Sequence, residues 1–473
     1  MRRTLVALLV PVVLVACLSP GSASGVGGPQ GTTELRGRDA FPGAHRLLAG
    51  TPMGRPTDGS SDPYGDGYRA PSTKKCSLHF CLHWVTRTDD RPSSQAWVDT
   101  TLTQLNRVWS FEVGRLGYRA PLPDGERGGN SKFDVYLADV GSKGYYGYCA
   151  PEKTLPGNHS LADGFCVLDN DFATSQFGAP PMVSLKVTAA HEFFHAIQYA
   201  YDVNEDRWMM EATATWMEER FADDANDNRQ YLPHGQLGQP GVPLDKFGFG
   251  GTWQYGNWLF FEFLSQRYGV GVVRAIWRQA AAFAGAPHSY SLGAIRTVLK
   301  AHSTTLPREY AVFSGVNQIP AEFYSEGADY QPAPVGRTLT LSEASPSTGA
   351  QTTHLEHLSS RTIEVTPDPA LIAPTQQVQI GFDLPDTARG AAAYVIVKRT
   401  DGTVLKSLVT LDAHGLGTLV RPFSAATVTS VLITLANGSS RSTCQQGTQW
   451  ACRGTPLDDG LPFTWHADLV PAG

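Results

Sequence analysis

Beyond its first sixteen residues, the 473-residue sequence has no apolar run of about 18 residues, so no later segment reads as a membrane-crossing helix. No two cysteines stand three positions apart as in CxxC, which argues against a cysteine zinc ribbon. Neither sign of charge dominates: 38 Lys+Arg against 44 Asp+Glu leaves no footprint for nucleic acid and no acidic tail. No internal repeat is evident. The remainder is a globular composition, 41% hydrophobic and 17% charged, and the low basic content fits work outside the cell. The length exceeds one ordinary core and suggests two to three domains.

The first residues bear on compartment. Arg2-Arg3 followed by the apolar run Leu5 to Ala16 has the charge and length of a signal peptide, so the chain reads as exported or secreted. Cleavage before Gly25 would follow the small residues Ser22-Ala23-Ser24. Cleavage before Cys17 would follow Leu14-Val15-Ala16, which resembles a bacterial lipobox and would leave a lipid on Cys17 as the only membrane anchor. Setting Cys17 aside leaves six of the seven cysteines. Proximity pairs them as Cys76 with Cys81, Cys149 with Cys166, and Cys444 with Cys452, as an oxidising compartment would allow.

Residues 25–72, rich in Gly, Pro, Ser and Asp, read as a flexible linker. From Leu78 to Trp84 apolar residues alternate as in a strand, and Trp97 to Leu116 carries apolar residues at helical spacing. Phe133 to Val140 and Gly164 to Leu168 read as strands. After Pro180-Pro181 the pattern turns helical over Leu185 to Tyr201, Trp208 to Phe221, Trp253 to Tyr268, Val270 to Phe283 and Ser291 to His302. Beyond about residue 331 it changes to Thr/Val/Ile-rich segments at Thr362 to Val365, Gln377 to Phe382, Ala393 to Lys398 and Ser430 to Leu435. Turns such as Asn437-Gly438 space them, which suggests a β-sandwich over 331–473.

The chemistry concentrates in His191-Glu192-Phe193-Phe194-His195. Residues i and i+4 share a helix face, so both imidazoles reach one ion, and Glu192 beside them is placed to take a proton from zinc-bound water as general base. A metzincin would need Gly and His at positions 198 and 201, which are Gln198 and Tyr201. Instead a second helix, with Asp206 as its expected N-cap, carries Glu211 in its first turns. Two His and one Glu leave a fourth zinc position open, as catalysis requires. The alternative for the histidines is a satisfied pair in a core, and for Glu211 a capping carboxylate. Tyr255 is the candidate to steady the oxyanion, with His234 as a second.

The run HEFFHAIQYAYD, then WMMEATATWMEE and WQYGNWLFFEFLSQRYG, resembles a family of secreted bacterial metalloproteases in the gluzincin clan, distantly similar to hyicolysin-type enzymes. FEVGRLGYRAP, FDVYLADVG and VLDNDF match the same style, so the resemblance covers roughly residues 76–330. It implies an α+β fold: a zincin-like domain over 73–330, with an N-terminal sheet, an active-site helix and a helical lower lobe. It also implies zinc on His191, His195 and Glu211. The β-rich tail is not covered with the same force. Under this reading an extended peptide or protein substrate pairs with a sheet edge near Val167 to Asn170. No motif for grasping a chain terminus appears, which favours an endopeptidase. The rival readings are an inactive scaffold serving as an adhesin or binding protein, and a zinc hydrolase of non-peptide amides.

Three further groupings remain. His79, Cys81 and His83 share a strand face and offer metal ligands, although a disulfide at Cys81 is simpler. Asp169, Asn170 and Asp171, and separately Asp223, Asp224, Asn226, Asp227 and Asn228, offer oxygens of the kind Ca2+ takes; the alternative is solvated turns.

Overall fold

The computed structural model describes residues 54–61, 65–248 and 251–470; the signal-peptide and Cys17 readings lie outside them. The fold is α+β. Its N-terminal half is built on a five-stranded sheet in the order β1-β2-β3-β5-β4, formed by β1 (Ser72–Cys76), β2 (Phe80–Val85), β3 (Phe133–Ala138), β4 (Gly147–Leu155) and β5 (Asn158–Asp169). β2, β3 and β5 run parallel, whereas β1 and β4 pair antiparallel at the two edges. Both faces of the central strands are covered, which is why Phe133–Ala138 is buried throughout. Inward, Val135, Leu137, Cys166 and Leu168 join the main core. Outward, Tyr136, Ala138, Phe165 and Val167 form a second cluster with Tyr68.

The described end of the segment expected as a linker contributes to that outer cover. Arg55 is 1% exposed. It donates to both Glu152 oxygens at 2.8 and 2.7 Å and to Asp134 Oδ2 at 2.6 Å, and it is also bonded to Asp124. Tyr68 Oη donates to the Leu137 carbonyl at 2.8 Å. A Gly/Pro/Ser-rich composition signals little core of its own, but it does not prevent single side chains from anchoring the segment.

Two helices pack on the inner face: α1 (Gln95–Trp109), which runs into a π-helical turn over Ser110–Arg115, and α2 (Pro181–Asp202). α2 starts with proline in its first turn and is buried continuously from Val187 to Asp202. α3 (Arg207–Phe221) doubles back on it through Val203–Asp206. The expected helix from Trp253 to Tyr268 is two elements, a single turn at Trp253–Gly256 and α4 (Trp258–Tyr268). Between them Asn257 turns inward, accepting from Gln236 N and donating to the Leu244 carbonyl. α5 (Gly271–Ala280), α6 (Leu292–Ala301) and α7 (Leu306–Val316) complete the lobe.

The C-terminal part is a β-sandwich. One sheet has the order β11-β10-β13-β8-β6 and the other β12-β9-β16-β7. The first comprises β6 (Arg337–Leu341), β8 (Ser359–Pro367), β10 (Ala391–Arg399), β11 (Val404–Leu408) and β13 (Val428–Asn437). The second comprises β7 (Gln351–Leu355), β9 (Gln377–Asp383), β12 (Leu416–Pro422) and β16 (Leu461–Val470). Ala393, Val395 and Val397 of β10 face the second sheet, whereas Ala392, Tyr394 and Ile396 join the core of the helical lobe against α7. β10 is thus apolar on both faces, and its sequence AAAYVIV reads accordingly. A small hairpin of β14 (Ser442–Thr443) and β15 (Thr455–Pro456) carries the Cys444–Cys452 disulfide. Its loop reaches the start of α3: Cys452 N donates to Asp206 Oδ2 at 2.7 Å and Ala451 N to Asp245 Oδ2 at 2.9 Å.

Candidate metal centre

α2 and α3 bring His191, His195 and Glu211 together in the core, each no more than 5% exposed. Ala212 and Ala214 are wholly buried beside Glu211, and their small side chains let the two helices approach closely. Glu211 Oε2 lies 3.3 Å from His191 Nε2 and 3.4 Å from His195 Nε2. The outward ring nitrogens are engaged elsewhere. His191 Nδ1 sits 2.7 Å from Glu218 Oε1, and since a carboxylate only accepts, Nδ1 carries the hydrogen. His195 Nδ1 sits 2.7 Å from Gln198 Oε1. The Gln198 amide is oriented by its other end, because Nε2 donates to the Met210 carbonyl at 2.9 Å and to Thr213 Oγ1 at 3.1 Å. His195 Nδ1 is therefore also a donor. Both tautomers leave the Nε2 lone pairs pointing at Glu211.

The donor set fits zinc. A tetrahedral ion with bonds of about 2.0–2.1 Å sets its donor atoms about 3.3 Å apart, close to the separations seen here. Without an ion His191 and Glu211 favour each other's charged form. Burial alone would depress His191, but the carboxylates of Glu211 and Glu218 outweigh it and push the imidazole up to about 10. Burial would raise Glu211, but the imidazolium charges of His195 and His191 and their hydrogen bonds hold its carboxyl down to about 2. A divalent cation replaces these protons with a larger charge.

Glu192 is 4% exposed, and its charge contributes to the rise at His191. The Cys149–Cys166 disulfide joins β4 to β5 directly behind it, with the Cys149 sulfur against the Glu192 carbonyl. Tyr255 is buried at the site, its ring centroid 6.1 Å from that of His191 and 5.2 Å from that of Tyr231. His234 is half-buried, and burial lowers its pKa. Asp206 stands at the N-cap position of α3 but makes no side-chain cap, because its carboxylate is taken by Cys452 N and the Tyr290 hydroxyl.

Sequence reasoning missed Glu218 and Gln198. The signal was spacing: Glu218 stands seven residues after Glu211, two turns along the same face, and Gln198 three after His195.

The proposed substrate edge at Val167 to Asn170 is corrected. β5 is interior, paired with both β3 and β4, and the outer strand on that side is β4. The strand-face metal set also dissolves: Cys81 is bonded to Cys76, His79 stacks on Trp109, and His83 binds Asp134 at 2.7 Å. Asp169 accepts from two backbone donors, Gly141 N and Phe172 N each at 2.7 Å, and so clamps the turns on either side of it.

Residues 57–288 match the model of a family of unknown function (DUF6055). No curated protein matches the chain. Among solved structures, the copper-binding, surface-associated CorA of Methylomicrobium album BG8 shows 9% identity over 29% of this chain and 98% of that one, with a TM-score of 0.17. The CBM22-1 xylan-binding domain of Paenibacillus barcinonensis Xyn10C shows 11% identity over 27% of this chain and 88% of that one, with a TM-score of 0.15. Likenesses at these scores carry no argument about fold or function.

Proposed function

We propose that the chain is an exported zinc metallopeptidase acting on extended peptide substrates, a zincin-like α+β domain joined to a β-sandwich. The observation that carries the reading is the convergence of His191 Nε2, His195 Nε2 and Glu211 Oε2, with both Nδ1 atoms engaged behind them. Zinc, when bound, supplies Lewis acidity and lowers the pKa of a bound water. Glu192, adjacent to His191 on the same helix, takes the proton from the attacking water and returns it to the leaving amine. Glu218 and Gln198 hold the imidazoles in the ligating tautomer. Tyr255, whose ring lies near that of His191, remains the candidate donor to the oxyanion. β4, the outer strand on that side, is the candidate edge for an antiparallel substrate, one strand away from the edge first expected. Export is supported by three disulfides; no helix among the described residues is long and apolar enough to cross a membrane.

The test is hydrolysis of denatured casein by the purified mature chain and its Glu192→Gln variant, with zinc measured in both. The expected result is about one zinc per chain in each and a loss of about 10²–10⁴-fold in kcat for the variant. Absence of zinc from the wild type refutes the site, and a fully active variant refutes the role of Glu192. Zinc without hydrolysis in the wild type favours the non-peptide or scaffold readings.

A further inference from the structure

His195 is held less directly than His191, and what holds it reaches a third helix. His191 Nδ1 meets a carboxylate, which only accepts and so fixes the imidazole by itself. His195 Nδ1 instead meets Gln198 Oε1 at 2.7 Å, and an amide fixes nothing alone, because turning it about its last bond exchanges its oxygen and its nitrogen. Turned the other way, the Gln198 amide would donate to Nδ1, and a neutral imidazole would then carry its hydrogen on Nε2, the atom 3.4 Å from Glu211 Oε2. The metal-ready form of His195 therefore depends on what faces the far end of Gln198.

Two oxygens face it, the Met210 carbonyl at 2.9 Å and Thr213 Oγ1 at 3.1 Å. A carbonyl only accepts. A hydroxyl has one hydrogen and two lone pairs, so the role of Thr213 is set by its other neighbours. Its hydrogen goes to the Met209 carbonyl, one helical turn back at 2.7 Å. One lone pair accepts from Trp277 Nε1 at 3.2 Å, and an indole N–H can only donate. The remaining lone pair faces Gln198, which turns its NH2 towards Thr213 and its oxygen towards His195.

Gln198 and Thr213 are wholly buried and Trp277 is 1% exposed, so each bond broken here leaves a buried polar group unsatisfied. Trp277 comes from α5 and stands edge-on to Phe194 and Tyr201 of α2, with ring centroids 6.4 and 6.2 Å apart, which holds the indole where it meets the hydroxyl.

We propose that Thr213 and Trp277 are positioning residues of the zinc centre: through Gln198, a chain of hydrogen bonds that begins on α5 sets His195 to present its Nε2 lone pair. The ligating state of a residue on α2 is thus tied to α3 and α5 together. This rests on the zinc site of the peptidase reading but not on peptide hydrolysis, so metal binding alone tests it.

The test measures zinc affinity of the full mature chain by competition with a chromogenic chelator, with circular dichroism checked for each variant. Thr213→Val keeps the shape of the side chain and removes the acceptor; it should weaken zinc binding about fivefold, the loss expected for one hydrogen bond. Thr213→Ser restores the acceptor and should bind within about twofold of the wild type. Gln198→Met should weaken binding about 10–100-fold, and in that background Thr213→Val should change it by less than about twofold. In the Glu218→Gln background, which touches only His191, the loss of about fivefold should persist. Independently of any variant, NMR of the zinc-loaded wild type should show the His195 Nδ1 and Trp277 indole hydrogens protected from exchange with solvent. The proposal is overturned if Thr213→Val binds zinc as the wild type does, if Thr213→Ser is as weak as Thr213→Val, if the effect of Thr213→Val is undiminished beside Gln198→Met, or if both hydrogens exchange freely. Zinc affinities that follow the expected pattern in a chain that cleaves no peptide would refute the peptidase reading and leave this proposal standing.

Discussion

Replacing Arg55 by alanine removes the one cation that, among the described residues, touches Asp124, Asp134 and Glu152 together, three carboxylates whose side chains are at most 4% exposed. Breaking a buried ion pair by deleting one partner costs about 3–5 kcal/mol, because the remaining charge stays in a poor solvent. Two neighbours soften the loss here, since Arg127 lies 2.7 Å from Glu152 Oε1 and His83 Nε2 lies 2.7 Å from Asp134 Oδ1. We therefore expect about 3 kcal/mol at pH 8, the lower end of that range. The deficit should depend on pH. Asp124 is already pushed up to about 6, by burial first and by its acidic neighbours, with Arg55 pulling the other way. A carboxyl whose folded-state pKa is raised contributes stability when protonated and loses it as pH rises through that pKa. Without Arg55 the Asp124 carboxyl loses the charge that pulls it down, so protonation relieves the variant more than the wild type, and the deficit shrinks from pH 8 to pH 5. Urea unfolding followed by tryptophan fluorescence at both pH values measures this. A deficit below about 1 kcal/mol at pH 8, or one equal at the two pH values, would refute the reasoning.

Glu218→Gln replaces a carboxylate acceptor with a neutral amide at His191 Nδ1 and should weaken zinc binding about 10–100-fold, read by competition with a chromogenic chelator; unchanged affinity would remove Glu218 from the site. Truncation after residue 330 strips the cover from α7 and leaves Asp206 and Asp245 without the Cys452 and Ala451 backbone donors, so the fragment should lose soluble yield and bind a hydrophobic dye. A monomeric fragment with full zinc content would contradict that expectation.

The convergence of His191, His195 and Glu211 was legible because an i, i+4 pair and a carboxylate in the next helix are local patterns, and the described helix limits differ by a few residues from the periodicity. The three disulfides followed from proximity alone. What escaped was set by distant partners. β4 was missed because Gly147–Leu155 contains Pro151 and polar residues at its outer end, and its pairing with β5 rather than its propensity makes it a strand. Arg55 was hidden in a segment of loop composition, since its partners Asp124, Asp134 and Glu152 lie 69 to 97 residues away. The sandwich was legible as a run of strands, but not that Tyr394 and Ile396 belong to the core of the other lobe, because alternation cannot say what a second apolar face packs on.

The contact between Cys452 and Asp206 joins residues 246 apart. If the chain is exported from its N-terminus, His191, His195 and Glu211 leave the translocation channel long before the loop that completes the start of α3. During that interval Asp206 and Asp245 lack the Cys452 and Ala451 backbone donors, and the face of α7 is uncovered. Assembly of this corner thus waits for the end of the chain, so a product terminated early would expose unfinished surface to proteolysis, and the slow step of maturation should be the docking of long-range partners rather than the formation of α2 and α3.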